Sequence, residues 1–151
     1  MSETEKLHTE IHKITELSNI LTNLLSDRSL CDTDVTCELF FRYVESVQDH
    51  LKHTDADLYA ELLDQSNAHK NKVANLFISG SKEIKRIFGA YTKKWCNLSR
   101  HTLKIKHYDN FYKETIEMFE MVLKRLQDET EHLYPLLSNT EKADQQKAVA
   151  G

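Results

Sequence analysis

Apolar residues recur every three or four positions through four long stretches of this chain, and this spacing is the feature that most limits its fold. In the first stretch, the positions on one helical face are Leu7, Ile11, Ile14, Leu17, Leu21 and Leu25. A stripe of this period predicts an amphipathic helix with its apolar face toward a core. The 151 residues include three glycines and one proline, fewer turn residues than a β-rich fold of this length would need. We therefore expect long helices joined by short loops.

The stripes predict four helices and one domain. We expect helices over about 3–26 and 35–64, a third that follows the break "DQSNAH" and ends near 98, and a fourth over about 110–138. Asp32, Thr33 or Asp34 can cap the second helix. The economical all-α arrangement is an antiparallel, up-down-up-down four-helix bundle over 1–139, with a flexible C-terminal tail over 140–151. In such a bundle the second and fourth helices run parallel, so matching motifs on them lie at the same end.

Composition excludes several classes of protein. The formal net charge of −4 argues against a strongly basic nucleic-acid-binding surface, and no apolar run approaches the length of a membrane span. The N-terminal "MSETEKLHTE" lacks the apolar centre of a signal peptide, so we expect a cytoplasmic protein. The odd cysteine count, with Cys31, Cys37 and Cys96, favours reduced thiols.

One segment nearly repeats about half a chain later. The first copy is "HLKHTDADLYAELL", residues 50–63, and the second is "RLQDETEHLYPLL", residues 125–137. Each copy has a basic residue, an acidic cluster, then "LY" and an apolar run. Two such blocks on parallel helices suggest matching ligands for one metal site.

A helical wheel turns Glu10, Thr54, His69 and Thr130 inward, and it places His50 and Glu129 at the edge of the apolar stripe and Arg125 just beyond the edge. Because they share one end of the bundle, the residues that could form one polar pocket are Glu10, His50, Thr54, His69, Arg125 and Glu129. His8, His12, His53 and His132 fall outside. Buried charges need partners or a metal ion, and two interpretations remain open.

In the metal interpretation, Glu10, His50, His69 and Glu129 are the ligands, a donor set that suits iron, manganese or zinc. In the metal-free interpretation, the polar core consists of Arg125, Glu129, Thr54 and Asp55. Arg125 then forms a salt bridge with Glu129, one turn away, or with Glu10 or Asp55. A guanidinium then supplies the positive charge that a metal ion would have supplied.

The two blocks and their flanks resemble hemerythrin-like domains with histidine–histidine–glutamate cation-binding motifs. "HLKHTDADLYA" is similar to the second-helix pattern H-L-x-x-E-[DE]-x-x-L-Y-P, and "RLQDETEHLYP" to a fourth-helix pattern H-I-x-x-E-[DEN]-x-x-L-[FY]-P. "YTKKW" and "YDNFYKETIEMFEMVLKRL" look like one bacterial subfamily. The resemblance covers roughly residues 5–138 and implies the same four-helix bundle.

The resemblance carries over only part of the family's ligand set. His50 and Glu129 match a histidine and a carboxylate, and His69 lies near the start of the third helix, where the family often has a ligand. Thr54 replaces a glutamate, although Asp55 keeps the second acid, and Arg125 replaces a histidine. In the first helix, which should supply a histidine, His8 and His12 are candidates by position, whereas the wheel favours Glu10.

We therefore expect a non-catalytic sensing or interaction domain without a cofactor, whose metal site has become a polar network and which contacts a protein partner such as a signalling protein. The alternative is a protein that binds one or two iron ions and responds to oxygen, nitric oxide or iron. The sequence contains no nucleophile–base pair at motif spacing, no phosphate-binding loop and no zinc signature, so we do not expect an enzyme.

Overall fold

Four long helices dominate the computed structural model, which describes residues 2–63 and 66–137. They are α1 (Glu3–Leu25), α2 (Asp34–His53), α3 (Ala68–Trp95) and α4 (Tyr108–Asp128). The prediction of an all-α fold is confirmed for the described residues. The predicted tail at 140–151 and the predicted domain end at 139 lie outside them.

Local sequence signals explain where three of the helices begin. Ser2 and Glu5 form a reciprocal capping box at the start of α1. The Thr33 side chain accepts a hydrogen bond from the Thr36 amide, so Thr33 is the cap among the three residues proposed for α2. The Asn67 side chain accepts from the Lys70 amide at the start of α3. Each cap satisfies a backbone N–H that has no partner within its helix.

The near-repeated blocks both contain a π-helical turn. Helix α2 continues through a π turn at Thr54–Leu58 and one α-helical turn at Tyr59–Leu62. Helix α4 continues through a π turn at Glu129–Leu133 into helical residues 134–137. A π turn changes the direction in which the following side chains point, and such turns often occur at functional sites. The sequence similarity of the blocks therefore corresponds to a shared backbone feature.

The connection between α3 and α4 differs from the prediction. Helix α3 ends at Trp95, and Cys96–Asn97 pairs with Thr102–Leu103 in an antiparallel hairpin. The Lys104 amide donates to the Trp95 carbonyl at 2.7 Å, and His101 has a φ of 52°. The predicted helix to residue 98 is wrong because these residues satisfy their backbone through strand pairing.

Two apolar clusters fill the interior. The larger extends along all four helices, and the smaller lies where α1 starts and α2 and α4 end. Members of the smaller cluster are Leu7, Leu58, Tyr59, Leu62, Ala74, Leu133, Tyr134 and Leu137. Ile11 packs against both. Glu10 and Glu129 each fall between members of the two clusters along their helices, so the polar residues form a layer between two apolar regions.

A search of the described residues for membrane spans finds no helix with the length and apolar character to cross a bilayer.

Candidate functional site: a buried histidine between two carboxylates

His50 of α2 joins a carboxylate from α1 to a carboxylate that follows α4. Its Nδ1 lies 2.6 Å from Glu10 Oε2, and its Nε2 lies 3.0 and 3.1 Å from the two oxygens of Glu129. The side chains of His50 and Glu129 are almost fully buried, whereas that of Glu10 is about one-third exposed. Three helices thus meet at one imidazole. Glu10, His50 and Glu129 come together as the sequence predicted.

Both ring nitrogens of His50 face carboxylate oxygens, which accept hydrogen bonds when ionised. A neutral imidazole has only one N–H, whereas an imidazolium donates from both nitrogens. Burial by itself lowers the pKa of His50, but the hydrogen bonds and charges of Glu10 and Glu129 outweigh burial and raise it to about 9. The arrangement is therefore a cation held between two anions.

A second histidine extends the cluster toward the surface. His53 Nδ1 lies 2.7 Å from the other oxygen of Glu10, and its Nε2 lies 2.5 Å from Glu3. Burial lowers the pKa of His53, but Glu10 and Glu3 outweigh this and raise it. For Glu10, burial raises the pKa, and hydrogen bonds with the two histidines outweigh it and lower the pKa. The wheel placed His53 outside because it considered α2 alone, whereas its partners come from α1.

Arg125 is buried, and its guanidinium is bound by Tyr59 and Phe77 and not by the carboxylates of Glu10 and Glu129. Its Nη2 donates to the Tyr59 hydroxyl and, at 2.9 Å, to the Phe77 carbonyl, and the guanidinium lies 4.6 Å from the Phe77 ring centroid. A Cβ added at Gly80 would lie 2.7 Å from Nη1. Among the described residues, Arg125 forms no ion pair with a carboxylate.

The expected ion pair of Arg125 with Glu129, Glu10 or Asp55 is therefore wrong. The missing side chain of Gly80 leaves room for the guanidinium against α3, where a carbonyl and an aromatic ring receive it. Arg125 Nε is buried and has no hydrogen-bond partner among the described residues.

Neither Thr54 nor Asp55 is hydrogen-bonded to Glu129. Thr54 is fully buried and donates to the Leu51 carbonyl at 3.0 Å within its own helix. Asp55 faces α3, where it accepts from Ser81 at 3.0 Å and pairs with Lys85. The four residues predicted as one metal-free polar core are thus not joined to one another by side-chain hydrogen bonds or ion pairs: the Thr54 side chain bonds within its own helix, and the other three have different partners. Glu129 joins His50, whereas Asp55 and Arg125 make separate contacts with α3.

The remaining predicted ligand does not join the site. His69 is exposed in the first turn of α3, so the inward direction read from its spacing to Val73 does not hold there. His8 is exposed as well, and its ring meets Tyr134 edge-on with centroids 5.3 Å apart. His12 is exposed beside Glu16. None of these three histidines is hydrogen-bonded to Glu10 or Glu129.

The described donors do not fit a metal ion as they are arranged. Across 2–63 and 66–137, no group of three or more histidine, cysteine, aspartate or glutamate side chains could hold one. A histidine binds a metal through a nitrogen lone pair, and both nitrogens of His50 are engaged by carboxylates. Metal binding would require His50 to lose a proton and release one carboxylate.

Tyr134 borders this layer from the smaller apolar cluster. Burial, with the nearby charges of Glu129 and Glu10, raises the pKa of Tyr134, so the phenol stays protonated. Its hydroxyl is buried and finds no hydrogen-bond partner within the described part of the chain. Sequence reasoning treated the "LY" of each block as apolar and missed that Tyr59 and Tyr134 lie beside the charged groups.

Comparisons with models of protein families, with curated proteins and with solved structures found no match to this chain.

Proposed function

We propose that this protein is a hemerythrin-like up-down-up-down four-helix bundle whose metal site has become a metal-free polar layer, and that it acts as a non-catalytic regulatory domain through contact with a protein partner. The sequence resemblance motivates the family. The four helices, with the two related blocks at one end, support the architecture. The odd number of cysteines, each a free thiol, supports a cytoplasmic location.

The contact of His50 with both Glu10 and Glu129 is the observation that carries this proposal. The positive charge between the carboxylates is a doubly protonated imidazole, so the anions are compensated without a metal ion. Arg125 stands where the resemblance expects a histidine and has contacts of its own with Tyr59 and Phe77. A cation approaching the layer would have to displace the proton of His50.

The convergence of Glu10, His50 and Glu129 also favours one alternative. Two carboxylates and an imidazole are the donor types that iron prefers in helical bundles. In the alternative, iron displaces the proton of His50, and the protein responds to oxygen, nitric oxide or iron. The two proposals differ in whether Fe(II) competes with that proton at neutral pH.

Iron binding by untagged protein separates them. We expect protein purified in air to contain far less than one iron per chain and to lack oxo-bridge absorption. Anaerobic Fe(II) titration should show no saturable binding at micromolar concentrations. Stoichiometric iron in the wild-type protein would establish the alternative and overturn the metal-free proposal.

A double variant tests the proposal that the polar layer derives from a hemerythrin-like metal site. Thr54→Glu with Arg125→His restores the two missing residue types at the positions that the resemblance assigns. We expect this variant to gain Fe(II) affinity over wild type, whereas Thr130→Glu with Arg125→His should not. Equal iron binding by the two double variants would contradict the ligand positions taken from the resemblance.

A further inference from the structure

Helix α3 has a charge opposite to that of the whole chain. It contains seven lysine and arginine residues and one acidic residue, Glu83, in a protein whose formal net charge is −4. Three of the basic residues pair with carboxylates: Lys85 with Asp55, Arg86 with Glu83 and Lys94 with Glu114. The outer face of α3 is basic on an otherwise acidic molecule.

Surface cavities lie on both sides of this helix. One, of about 440 Å³, lies between α2 and α3, and a second, of about 340 Å³, continues along the same two elements toward Tyr59. Lys85 lines both. A third cavity, of about 400 Å³, lies between α3 and α4. The first of these is called the α2–α3 groove, and it is lined by Gln48, Asp49, Leu51, Lys52, Lys85, Phe88 and Gly89.

Gly89 is a residue that the fold itself does not explain. A Cβ added at Gly89 would meet nothing within 4 Å, whereas one at Gly80 would meet Arg125. Glycine within a helix is unfavourable relative to alanine because it loses more conformational entropy on folding. Gly89 therefore gives up helix stability at a position that has room for a side chain. Close approach of another molecule at this position is a physical reason for a residue without a side chain.

We propose that the α2–α3 groove is the docking site for an acidic helical segment of a partner protein, which rests on the proposed role as an interaction domain. An apolar side chain of the partner packs over Gly89 against Phe88 and Leu51. Its flanking carboxylates face Lys52 and Lys85, and the one at Lys85 takes the place of Asp55 in the ion pair that Lys85 makes. Among the described residues that line the groove, Asp49 is the one acidic residue, and it fixes the partner's position by repelling a carboxylate placed near it.

Charge complementarity favours an acidic protein segment over nucleic acid. A nucleic acid carries a phosphate charge at every nucleotide and would meet the acidic remainder of the molecule as well as α3. A short segment with its carboxylates on one face can meet Lys52 and Lys85 while keeping those carboxylates away from Asp49. Complementary charges of this kind raise the association rate and orient the partner.

A defined peptide tests the groove. The probe is a fluorescein-labelled amphipathic helical peptide of about 20 residues, with leucines on one face and glutamates on the other. Binding is measured by fluorescence anisotropy in EDTA, so that the result is independent of iron. We expect saturable binding that weakens as salt rises from about 0.05 to about 0.5 M. A peptide with lysine at each glutamate position should not bind.

Variants locate the binding. Gly89→Gln places a side chain into open space and should weaken binding about tenfold without lowering thermal stability. Ser79→Gln, which replaces another small, exposed residue of the same helix outside the groove, is its control. Lys52→Glu should weaken binding similarly, and Lys13→Glu, exposed on α1, should not.

Several results would overturn the proposal. They are equal binding by Gly89→Gln and Ser79→Gln, equal binding of the lysine peptide, tighter binding of duplex DNA or RNA than of the acidic peptide, and self-association of the protein through this face. Failure here with low iron content would leave the metal-free proposal standing. Stoichiometric iron with intact peptide binding would overturn the metal-free proposal and leave the docking proposal standing.

Discussion

His50 holds Glu129 through a hydrogen bond pair in which its Nε2 lies 3.0 and 3.1 Å from the two carboxylate oxygens, and no part of the Glu129 side chain is exposed. The Glu129 carboxylate has no other hydrogen-bond partner within residues 2–63 and 66–137. The buried charge of Glu129 therefore depends on one imidazole, which in turn depends on Glu10 to complete its contacts. The stability of the polar layer therefore depends on the contacts of His50 with Glu129 and Glu10.

Replacing His50 should destabilise the protein severely. His50→Gln keeps a hydrogen-bonding side chain but removes the positive charge, leaving Glu129 buried without compensation. Removing one partner of a buried ion pair typically costs about 3–5 kcal/mol in the free energy of unfolding. Urea unfolding checks this value. The control is His12→Gln, which removes an exposed contact with Glu16 and should change the free energy of unfolding by less than about 0.5 kcal/mol. Similar effects of the two substitutions would contradict the buried ion pair.

Stability should fall as the solution becomes alkaline. The pKa of His50 rises on folding from 6.5 to about 9, so its contribution is complete below pH 6.5 and is lost as pH rises through about 9. This difference corresponds to about 3 kcal/mol, and the raised pKa of His53 acts in the same direction. Chemical unfolding between pH 6 and pH 10 gives the curve. His50→Gln should leave only the smaller slope due to His53, and an unchanged slope in this variant would assign the effect to other groups.

Acidic solution should weaken the same layer for the opposite reason. The pKa of Glu10 is lowered on folding, so its contribution is present above the unfolded value of 4.5 and is lost as pH falls through the folded value. Together with the histidines, this places maximum stability of the layer between about pH 4.5 and 6.5. Glu10→Gln should flatten the acid side of the curve relative to Glu16→Gln, an exposed control on the same helix. An equal acid response in the two variants would exclude Glu10 as the source.

Gly80 and Arg125 should be energetically coupled. Alanine is better than glycine in a helix by about 1 kcal/mol, and Gly89→Ala should show most of this gain because its surroundings are open. Gly80→Ala should show little gain or a loss, since its methyl group would meet Arg125 Nη1 at 2.7 Å. In an Arg125→Met background the gain at Gly80 should return. A double-mutant cycle by urea unfolding measures the coupling, and additive effects would show that the guanidinium does not lie against Gly80.

Periodicity predicted much of the helical structure, and it brought Glu10, His50 and Glu129 to one end. The wheel assumes 100° per residue and one helix at a time. It could not foresee the π turns at Thr54–Leu58 and Glu129–Leu133, which redirect the side chains that follow them. Likewise, His53 is placed by Glu3 and Glu10 of another helix, and this contact has no signal in the spacing of α2 alone.

The direction of Arg125 depended on a residue that looked unimportant. In the sequence, nothing links Gly80 to Arg125, and Arg125 is expected to pair with nearby acidic residues. In the structure, the space left by Gly80 admits the guanidinium, which then donates to the Phe77 carbonyl. A long side chain adopts a conformation for which space and hydrogen-bond partners are available. Sequence spacing indicates neither of these.

The protonation state of the His50 ring tests the central claim most directly. A long-range ¹H–¹⁵N spectrum of ¹⁵N-labelled protein at about pH 7 reports whether each ring nitrogen carries a proton. We predict that both nitrogens of His50 are protonated, that the signals change with a midpoint at about pH 9, and that Fe(II) does not alter them. A neutral ring with one unprotonated nitrogen, whose signal is lost on addition of Fe(II), would contradict the metal-free polar layer.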